Sequence, residues 1–598
     1  MGLSRQKGCF NMQIKQLSVL VAVTFLAFSP CLSGGFIGDD EVLFVNNTFY
    51  KDAGNFPLLF TRDYLTKSND LYLHPNPGLG SGSVAYRPVL SSTYFFDYLL
   101  WKMDPYGYHL TNVLLHIANV FLVYLLAFII VNDKSVALLS ALMFSVHPVK
   151  VEAVASIGYR ADLLAGLFVL LSVLSYIKFR RGPLTCSGPC RAIKYWFSLI
   201  CYFLALFTKE SAIVVPVILF VYDSYFDGKK SGILKRMLRS AYYGYAAVSC
   251  FYLFIYLKVF PNTTLGSVKL IGDSVLYHAA TLLWICALYI KDIAMPFLLK
   301  MLPPLYAPNI DRYFILKGLA GAAILLGLII VIVKMKRYGK AAAFSVFFFL
   351  ICLIPVSNIV PIANPMAHRF LYLPSAGIFI AIGILLDKIC FKLSSIKSAA
   401  SSGLMIKIFV VCVCLIMTFS LSKDWRSNYS IAASLIKGHP DDLAGYAILG
   451  EFNYKSGRYV EARQAFQKAI SLGSTDPKDF YMLGMSSLDN YSEAQRYLLA
   501  AMSNNDEYVA PLVGLGRLYF LNKDYDKAKI FLRKAVAIKP AYASCGYLIQ
   551  IYMFEGKAAD AYKILDIAKK LPVGNEELSS LNKLINRTGQ YEMIDIGI

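Results

Sequence analysis

The sequence predicts an all-α protein in two parts, a polytopic bundle of membrane-spanning helices followed by a soluble solenoid of helix pairs. The 598 residues are 57% hydrophobic with a mean hydropathy of +0.53, which is too apolar for a soluble protein of this length. Long apolar runs recur as far as residue 421, and a helical repeat follows them. We therefore expect a membrane domain over residues 1–423, a linker over 424–442 and repeats over 443–598.

The predicted spans follow from the lengths of the apolar runs, since a helix needs about 20 apolar residues to cross a bilayer. A shorter half-apolar stretch, residues 89–101, is expected to lie in the membrane interface instead. Eleven runs are assigned as spans: 16–33, 108–131, 135–148, 162–178, 195–208, 211–226, 240–260, 313–333, 341–357, 370–388 and 404–421.

The distribution of charge orients these spans. Lys and Arg exceed Asp and Glu by 59 to 38, a net charge of +21, and the excess lies in loops between spans. Because basic loops stay in the cytoplasm, the excess needs no nucleic-acid partner to explain it. An alternating count from a cytoplasmic N-terminus fits every basic loop only if residues 275–311, interrupted by Lys291, Asp292 and prolines, cross twice or dip in and return. The total is eleven or thirteen spans.

The region after residue 422 matches the tetratricopeptide repeat, in which two helices pack closely through small residues. The second small residue of each unit is an alanine, and stacked units of this kind form a concave surface suited to an extended peptide. The alanines lie 32, 34 and 33 residues apart, at Ala469, Ala501, Ala535 and Ala568.

An acidic turn, residues 38–41, follows the first span directly. Its three consecutive carboxylates, Asp39, Asp40 and Glu41, repel one another and lose hydration, which favours a general base or a cation ligand. A solvated cap on the end of the span is the alternative.

Other polar clusters fall on the same extracytoplasmic side by the same count of spans. Such convergence is typical of an enzyme at the lipid–water boundary, whereas a transporter places ionisable residues within the membrane. The clusters are Arg87 with its neighbours, 109–112, 147–162, Lys209 with Glu210, and 364–369.

These motifs resemble, in chain order, those of the transmembrane and tetratricopeptide-repeat O-mannosyltransferases and their prokaryotic relatives, which have the GT-C glycosyltransferase fold. The repeats follow where that family places them, and the few repeats and short loops are those of a prokaryotic-type relative. The matching stretches are Asp39-Asp40, Tyr86-Arg87-Pro88, His147-Pro148-x3-Glu152, Gly158-Tyr159-Arg160-Ala161-Asp162, Lys209-Glu210 and Arg369-Phe370-Leu371-Tyr372-Leu373-Pro374.

The resemblance implies transfer of a sugar from a polyprenyl-phosphate carrier to an acceptor outside the cytoplasm, often a protein Ser or Thr hydroxyl. Such a reaction needs a base for the hydroxyl and cations for the leaving phosphate. Asp39 or Asp40 fits the base, because the family keeps an essential Asp at the end of its first span, and Asp39 is slightly favoured. The residues predicted to bind the donor phosphate are Arg160, Arg369, Lys209 and Arg87.

Supporting roles are expected for the neighbouring polar residues. Glu152 and Asp162 are expected to hold basic residues in place, and Glu210 or another acid is the candidate partner of Lys209. His147 lies at a span end, where a hydrogen-bonded structural histidine is the commoner case. No cofactor is certain and no metal ligands are identified, although a divalent cation is possible; the 12 cysteines have no zinc-binding spacing.

Two other classes stay open, a non-catalytic membrane scaffold with peptide-binding repeats and a transporter of lipid-linked sugars. The expected partners of an enzyme are the polyprenyl-phosphate sugar, membrane lipid, and a protein or peptide acceptor bound by the repeats, with no nucleic acid. We expect an integral protein of the bacterial plasma membrane or the endoplasmic reticulum. Parity of the spans places the active site and the repeats outside the cytoplasm.

Overall fold

The structure, a computed structural model, is helical and has no strand among the residues that it describes, which confirms the all-α class. The chain forms two compact units. The membrane unit comprises residues 1–37, 56–64 and 84–426, and the repeat unit comprises 38–55, 65–83 and 427–598. The described residues are 2–45, 47, 49–61, 86–181, 189–226, 239–259, 270–271, 274–299, 313–335, 339–362, 364–394, 402–502, 508–569, 571, 575–586 and 595.

Each of the eleven predicted apolar runs coincides with a helix of the membrane unit, and the predicted interfacial stretch is helix α2. Within the described residues, six helices are long and apolar enough to cross a membrane, five of them in predicted runs and the sixth being α10, or seven if the bent pair α4–α5 is one span. The total of eleven or thirteen crossings therefore stays a prediction. The described helices are α1 Gly2–Phe28, α2 Pro88–Trp101, α3 Pro105–Val131, α4 Lys134–Val146, α5 Val151–Ala155, α6 Arg160–Arg181, α7 Pro189–Leu206, α8 Val215–Phe226, α9 Ser240–Phe254, α10 Val275–Ala294, α11 Phe314–Met335, α12 Lys340–Leu353, α13 Pro374–Ser394 and α14 Ser402–Asp424.

A two-residue turn joins α3 to α4. Asp104 caps the start of α3 by accepting from the Tyr106 amide at 3.0 Å, and α3 ends at Asn132, whose φ of 59° is left-handed. The next residue, Asp133, caps α4 by accepting from the Val136 amide at 3.0 Å. These local signals fix α3 and α4 as an antiparallel pair.

Helices α10 and α11 are parallel neighbours, although one follows the other in sequence. The rings of Tyr277 and Phe314 lie tilted against each other with centroids 4.9 Å apart, and a Cβ on Gly318 would lie 2.7 Å from the Ala280 Cβ, so residue numbers rise together along both helices. The predicted double crossing or re-entrant path of residues 275–311 stays a prediction, because part of that stretch lies outside the described residues. The predicted break at Lys291 and Asp292 is wrong, because α10 runs through both residues to Ala294.

The membrane unit has two distinct ends. At one end the first turns of α3 and α6 meet, where Arg160 contacts Asn112 and Tyr108. At the other end Asp223 binds Arg180 at 3.1 Å and Arg239 at 3.0 Å. Arg180 and Arg239, which belong to basic loops, thus lie at the opposite end of the bundle from Arg160.

The repeat unit stacks four helix pairs behind a leading helix. All four alanines of the predicted period are fully buried, and a Cβ on Gly516 would lie 2.5 Å from Leu532, so the paired helices are in close contact. The leading helix occupies most of the predicted linker 424–442 and packs against the first repeat. The helices are α15 Asn428–Gly438, α16 Leu443–Lys455, α17 Tyr459–Ser471, α18 Pro477–Ser486, α19 Tyr491–Met502, α20 Ala510–Leu521, α21 Tyr525–Ile538, α22 Tyr542–Phe554, α23 Ala558–Ala568 and α24 Asn575–Asn586.

Candidate functional site

Arg369 is held against the short helix α5. Its guanidinium forms an ion pair with Glu152, and its backbone amide donates to the same carboxylate at 2.9 Å. The guanidinium also lies 4.0 Å from the centre of the Tyr159 ring. Burial alone would lower the pKa of Arg369, but the negative charges of the Glu152 and Asp162 carboxylates raise it. Glu152 thus holds Arg369 through both its guanidinium and its backbone amide.

Lys209 lies beside this pair. Its ammonium group contacts the Asp162 carboxylate at 2.5 Å and lies 5.3 Å from the centre of the Phe370 ring. Both side chains are about one-tenth exposed, at 10% and 12%. Asp162 therefore holds Lys209, whereas the sequence had offered Glu210 as the first candidate partner.

Glu210 binds Arg87 instead. The guanidinium donates to both carboxylate oxygens, at 2.7 Å from Nη2 to Oε1 and 3.2 Å from Nε to Oε2. Burial alone would raise the pKa of Glu210, but Arg87 and then Lys209 hold it below its ordinary value. With 42% of its side chain exposed, Glu210 is the most accessible acid of these three pairs.

Together the three pairs form what we call the charge network, in which cations and anions alternate. Its three cations balance its three carboxylates, and the pairs lie at the end of the bundle away from Asp223. An incoming anion would therefore meet cations that are already fixed in position but must exchange a carboxylate for it. The members are Glu152, Arg369, Asp162, Lys209, Glu210 and Arg87.

Arg160 stands apart from the charge network. It is fully buried and forms an ion pair with Asp97 at 2.5 Å, a partner that the sequence analysis did not identify. Its other hydrogen bonds go to Asn112 Oδ1 at 2.7 Å, the Tyr108 carbonyl at 3.1 Å and Thr93 Oγ1 at 3.2 Å. Since these contacts surround the guanidinium, the geometry favours a structural role over the predicted contact with a donor phosphate.

A second residue that the sequence analysis missed is Lys150. Its ammonium group is fully buried, donates to the Tyr372 carbonyl at 2.8 Å and to Ser375 Oγ, and lies 4.0 Å from the centre of the Phe144 ring. Its neighbour His147 contacts the Ile293 carbonyl through Nε2 at 3.1 Å, the structural case expected for that histidine. The segment that carries Glu152 is therefore fixed by contacts on both sides of the bend between α4 and α5.

The acidic turn belongs to the repeat unit. Gly38 adopts a left-handed φ of 52°, and its amide donates to Asn428 Oδ1 at 3.0 Å. Glu41 accepts from Asn428 Nδ2 at 3.1 Å and forms an ion pair with Lys455. Asp39 is exposed, whereas Asp40 is fully buried. The two aspartates are thus in different environments despite being adjacent.

The described part of the chain contains no group of three or more His, Cys, Asp or Glu side chains that could hold a metal ion. The divalent cation allowed by the sequence therefore stays a prediction.

Fold and charge network together define a polytopic helical membrane protein with a tetratricopeptide-repeat solenoid. Family models described as tetratricopeptide repeats match residues 427–477 and 511–542. The Caenorhabditis elegans protein O-mannosyl-transferase F38B6.6 is 24% identical over 473 residues, covering 77% of this chain and 63% of that protein. Human protein O-mannosyl-transferase TMTC3 is 24% identical over 629 residues, covering 92% of this chain and 64% of that protein.

Over most of its length this chain is therefore similar to proteins named as protein O-mannosyl-transferases, and it spans less than two thirds of these two relatives. Among solved structures, it is similar to ArnT from Cupriavidus metallidurans bound to undecaprenyl phosphate. The identity is 12% and the TM-score 0.36, over 96% of this chain and 85% of that one.

Proposed function

We propose that this chain is a membrane glycosyltransferase that moves a sugar from a polyprenyl-phosphate carrier to a Ser or Thr hydroxyl of a protein outside the cytoplasm. The observation that carries the proposal is the charge network at one end of the membrane unit. Its support in sequence is the homology to proteins named as protein O-mannosyl-transferases, one of which covers 92% of this chain.

Within the charge network, Arg87 and Lys209 are the proposed ligands of the donor phosphate. Their side chains are 12% and 10% exposed, against 7% for Arg369 and none for Arg160. When the donor binds, a phosphate oxygen replaces a carboxylate oxygen beside each cation. The cation keeps one negative partner and its position, so little reorganisation is needed when the phosphate departs. Arg369 contributes charge without leaving Glu152, and Arg160 supports the fold.

Asp39 is the proposed general base. It is exposed, so a hydroxyl can reach its carboxylate, whereas Asp40 is fully buried and better suited to supporting the turn. Repeats that bind an extended segment of the acceptor would raise its local concentration at the enzyme.

The test is turnover of purified protein with a panel of polyprenyl-phosphate sugars and acceptor peptides. Asp39→Asn should abolish transfer, because the amide keeps the shape of the side chain and loses the base. Asp104→Asn is the matched control, since Asn caps a helix as well as Asp. Wild-type transfer by both Asp39→Asn and Asp40→Asn would refute the assignment of the base to the acidic turn.

The donor site has its own test. Arg87→Met and Lys209→Met should raise the donor KM, because loss of a buried phosphate contact costs about 2 to 5 kcal/mol. A change confined to the acceptor KM would remove both residues from the phosphate site. The sidedness is tested by a reporter fused after Ile598, which should report an extracytoplasmic location; a cytoplasmic one would contradict the span count.

A further inference from the structure

The first helix of each repeat contacts the first helix of the next, so α16, α18, α20 and α22 form a continuous face of the repeat unit. In stacked helix pairs this face is the concave one. It carries a cluster of aromatic hydroxyls around a single guanidinium, with Tyr454 on α16, Tyr481 on α18, Arg517 on α20 and Tyr547 on α22. Arg517 and Tyr547 bind the same carboxylate, that of Asp595, and the Arg517 guanidinium opposes the rise that burial causes in the pKa values of Tyr454 and Tyr481, so the four side chains lie close together.

A carboxylate from the same chain already lies on this cluster. Arg517 donates to Asp595 through Nε to Oδ1 at 2.9 Å and through Nη2 to Oδ2 at 2.6 Å. The hydroxyl of Tyr547 donates to Asp595 Oδ1 as well. The guanidinium therefore binds the carboxylate with both prongs, the geometry in which arginine recognises a planar anion most selectively.

Burial makes this a built site rather than a chance surface pair. The Arg517 side chain is 15% exposed, and Tyr481 and Tyr547 are buried. A partly desolvated guanidinium gains more from a fork of two charge-assisted hydrogen bonds than one in open water does. Asp595 lies nine residues beyond the end of α24, so the carboxylate on this face does not belong to a repeat helix.

We propose that the inner face of the repeats is a binding site for an extended acidic peptide, with Arg517 and Tyr547 binding an aspartate side chain, and that Asp595 of the same chain occupies this position in the free protein. An external acidic peptide then binds only by displacing Asp595. The proposal concerns peptide binding alone and holds whether or not the chain transfers sugar.

The experiment uses a fluorescent peptide with the sequence of residues 588–598, TGQYEMIDIGI, and full-length protein in micelles. A second protein ends at Arg587 and so lacks the competing Asp595. Anisotropy should show the peptide binding the shortened protein about tenfold or more tightly than the full-length one. Equal affinity for the two proteins, or no binding to the shortened one, would overturn the proposal.

Variants of the shortened protein test the residues. Arg517→Ala should weaken binding about tenfold or more, and Tyr547→Phe, which keeps the buried ring, should weaken it by a smaller factor. Arg463→Ala, which removes an arginine paired with Asp489, is the matched control and should bind as the parent does. A peptide with Asn in place of Asp595 should lose binding to the parent. Undiminished binding by Arg517→Ala, or of the Asn peptide, would show that no carboxylate site exists here.

Discussion

Replacement of Asp97 by Asn should destabilise the membrane unit, because it leaves the buried Arg160 guanidinium without its counter-ion. The two groups are 2.5 Å apart and their side chains are 4% exposed or less. At an effective dielectric constant of ~20 such a pair attracts by about 7 kcal/mol. The hydrogen bonds from Arg160 to Asn112, Thr93 and the Tyr108 carbonyl remain. Loss of one partner of a buried pair costs about 3 to 5 kcal/mol, and we expect the lower value.

The assay is denaturant unfolding of the purified protein in micelles, followed by intrinsic fluorescence. Asp104→Asn is the control, an identical substitution at an exposed helix cap, and should change the unfolding free energy by less than about 0.5 kcal/mol. Arg160→Gln combined with Asp97→Asn removes both charges and should recover part of the loss. If Asp97→Asn unfolds like the control, Arg160 has another source of compensation and the structural role assigned to it is refuted.

Three further substitutions test other contacts. Lys150→Met should lower the stability of the membrane unit by about 1 to 3 kcal/mol in the same unfolding assay, because buried acceptors lose their donor. Gly516→Ala should destabilise the repeats by about 1 to 3 kcal/mol, because the added methyl group clashes with Leu532. Gly438→Ala is the control: its methyl group meets open space, so it should be neutral or stabilising. Similar unfolding midpoints for the two variants would contradict the packing argument. Burial raises the pKa of Asp479 from 3.8 to about 6, so the folded protein prefers the protonated acid and loses stability as pH rises from about 4 to 6. Asp479→Asn should abolish that loss. Unfolding midpoints of the two proteins at pH 4.5 and 7 measure it.

The repeat packing could be predicted from the sequence because it depends on local periodicity. A small residue returning about every 33 positions faces the partner helix by geometry alone, so the four alanines were identified before any contact was known. The apolar runs located the membrane helices for the same reason, since span length is a property of one segment.

The partners of the charged residues could not be predicted in this way. Asp97 lies 63 residues from Arg160 in a helix whose sequence indicates only an interfacial position, and no spacing rule connects the two. Lys150 and Glu152 lie on the same short bent segment. Their partners, the Tyr372 carbonyl and Arg369, come from a distant part of the chain and are brought there by tertiary packing. Ion pairing between distant segments depends on the arrangement of helices, which composition and periodicity do not determine.

The position of the acidic turn within the repeat unit has a consequence for modularity. A cut after Lys423 would remove the solenoid together with Asn428 and Lys455, which bind Gly38 and Glu41 at the far end of the sequence. The repeat unit is therefore discontinuous, and a chimaera that exchanges only the C-terminal half would bring together mismatched surfaces. An exchange that transfers residues 38–55 together with the solenoid would preserve the contacts between them. During synthesis, some 390 further residues must be made after the acidic turn before its partners emerge.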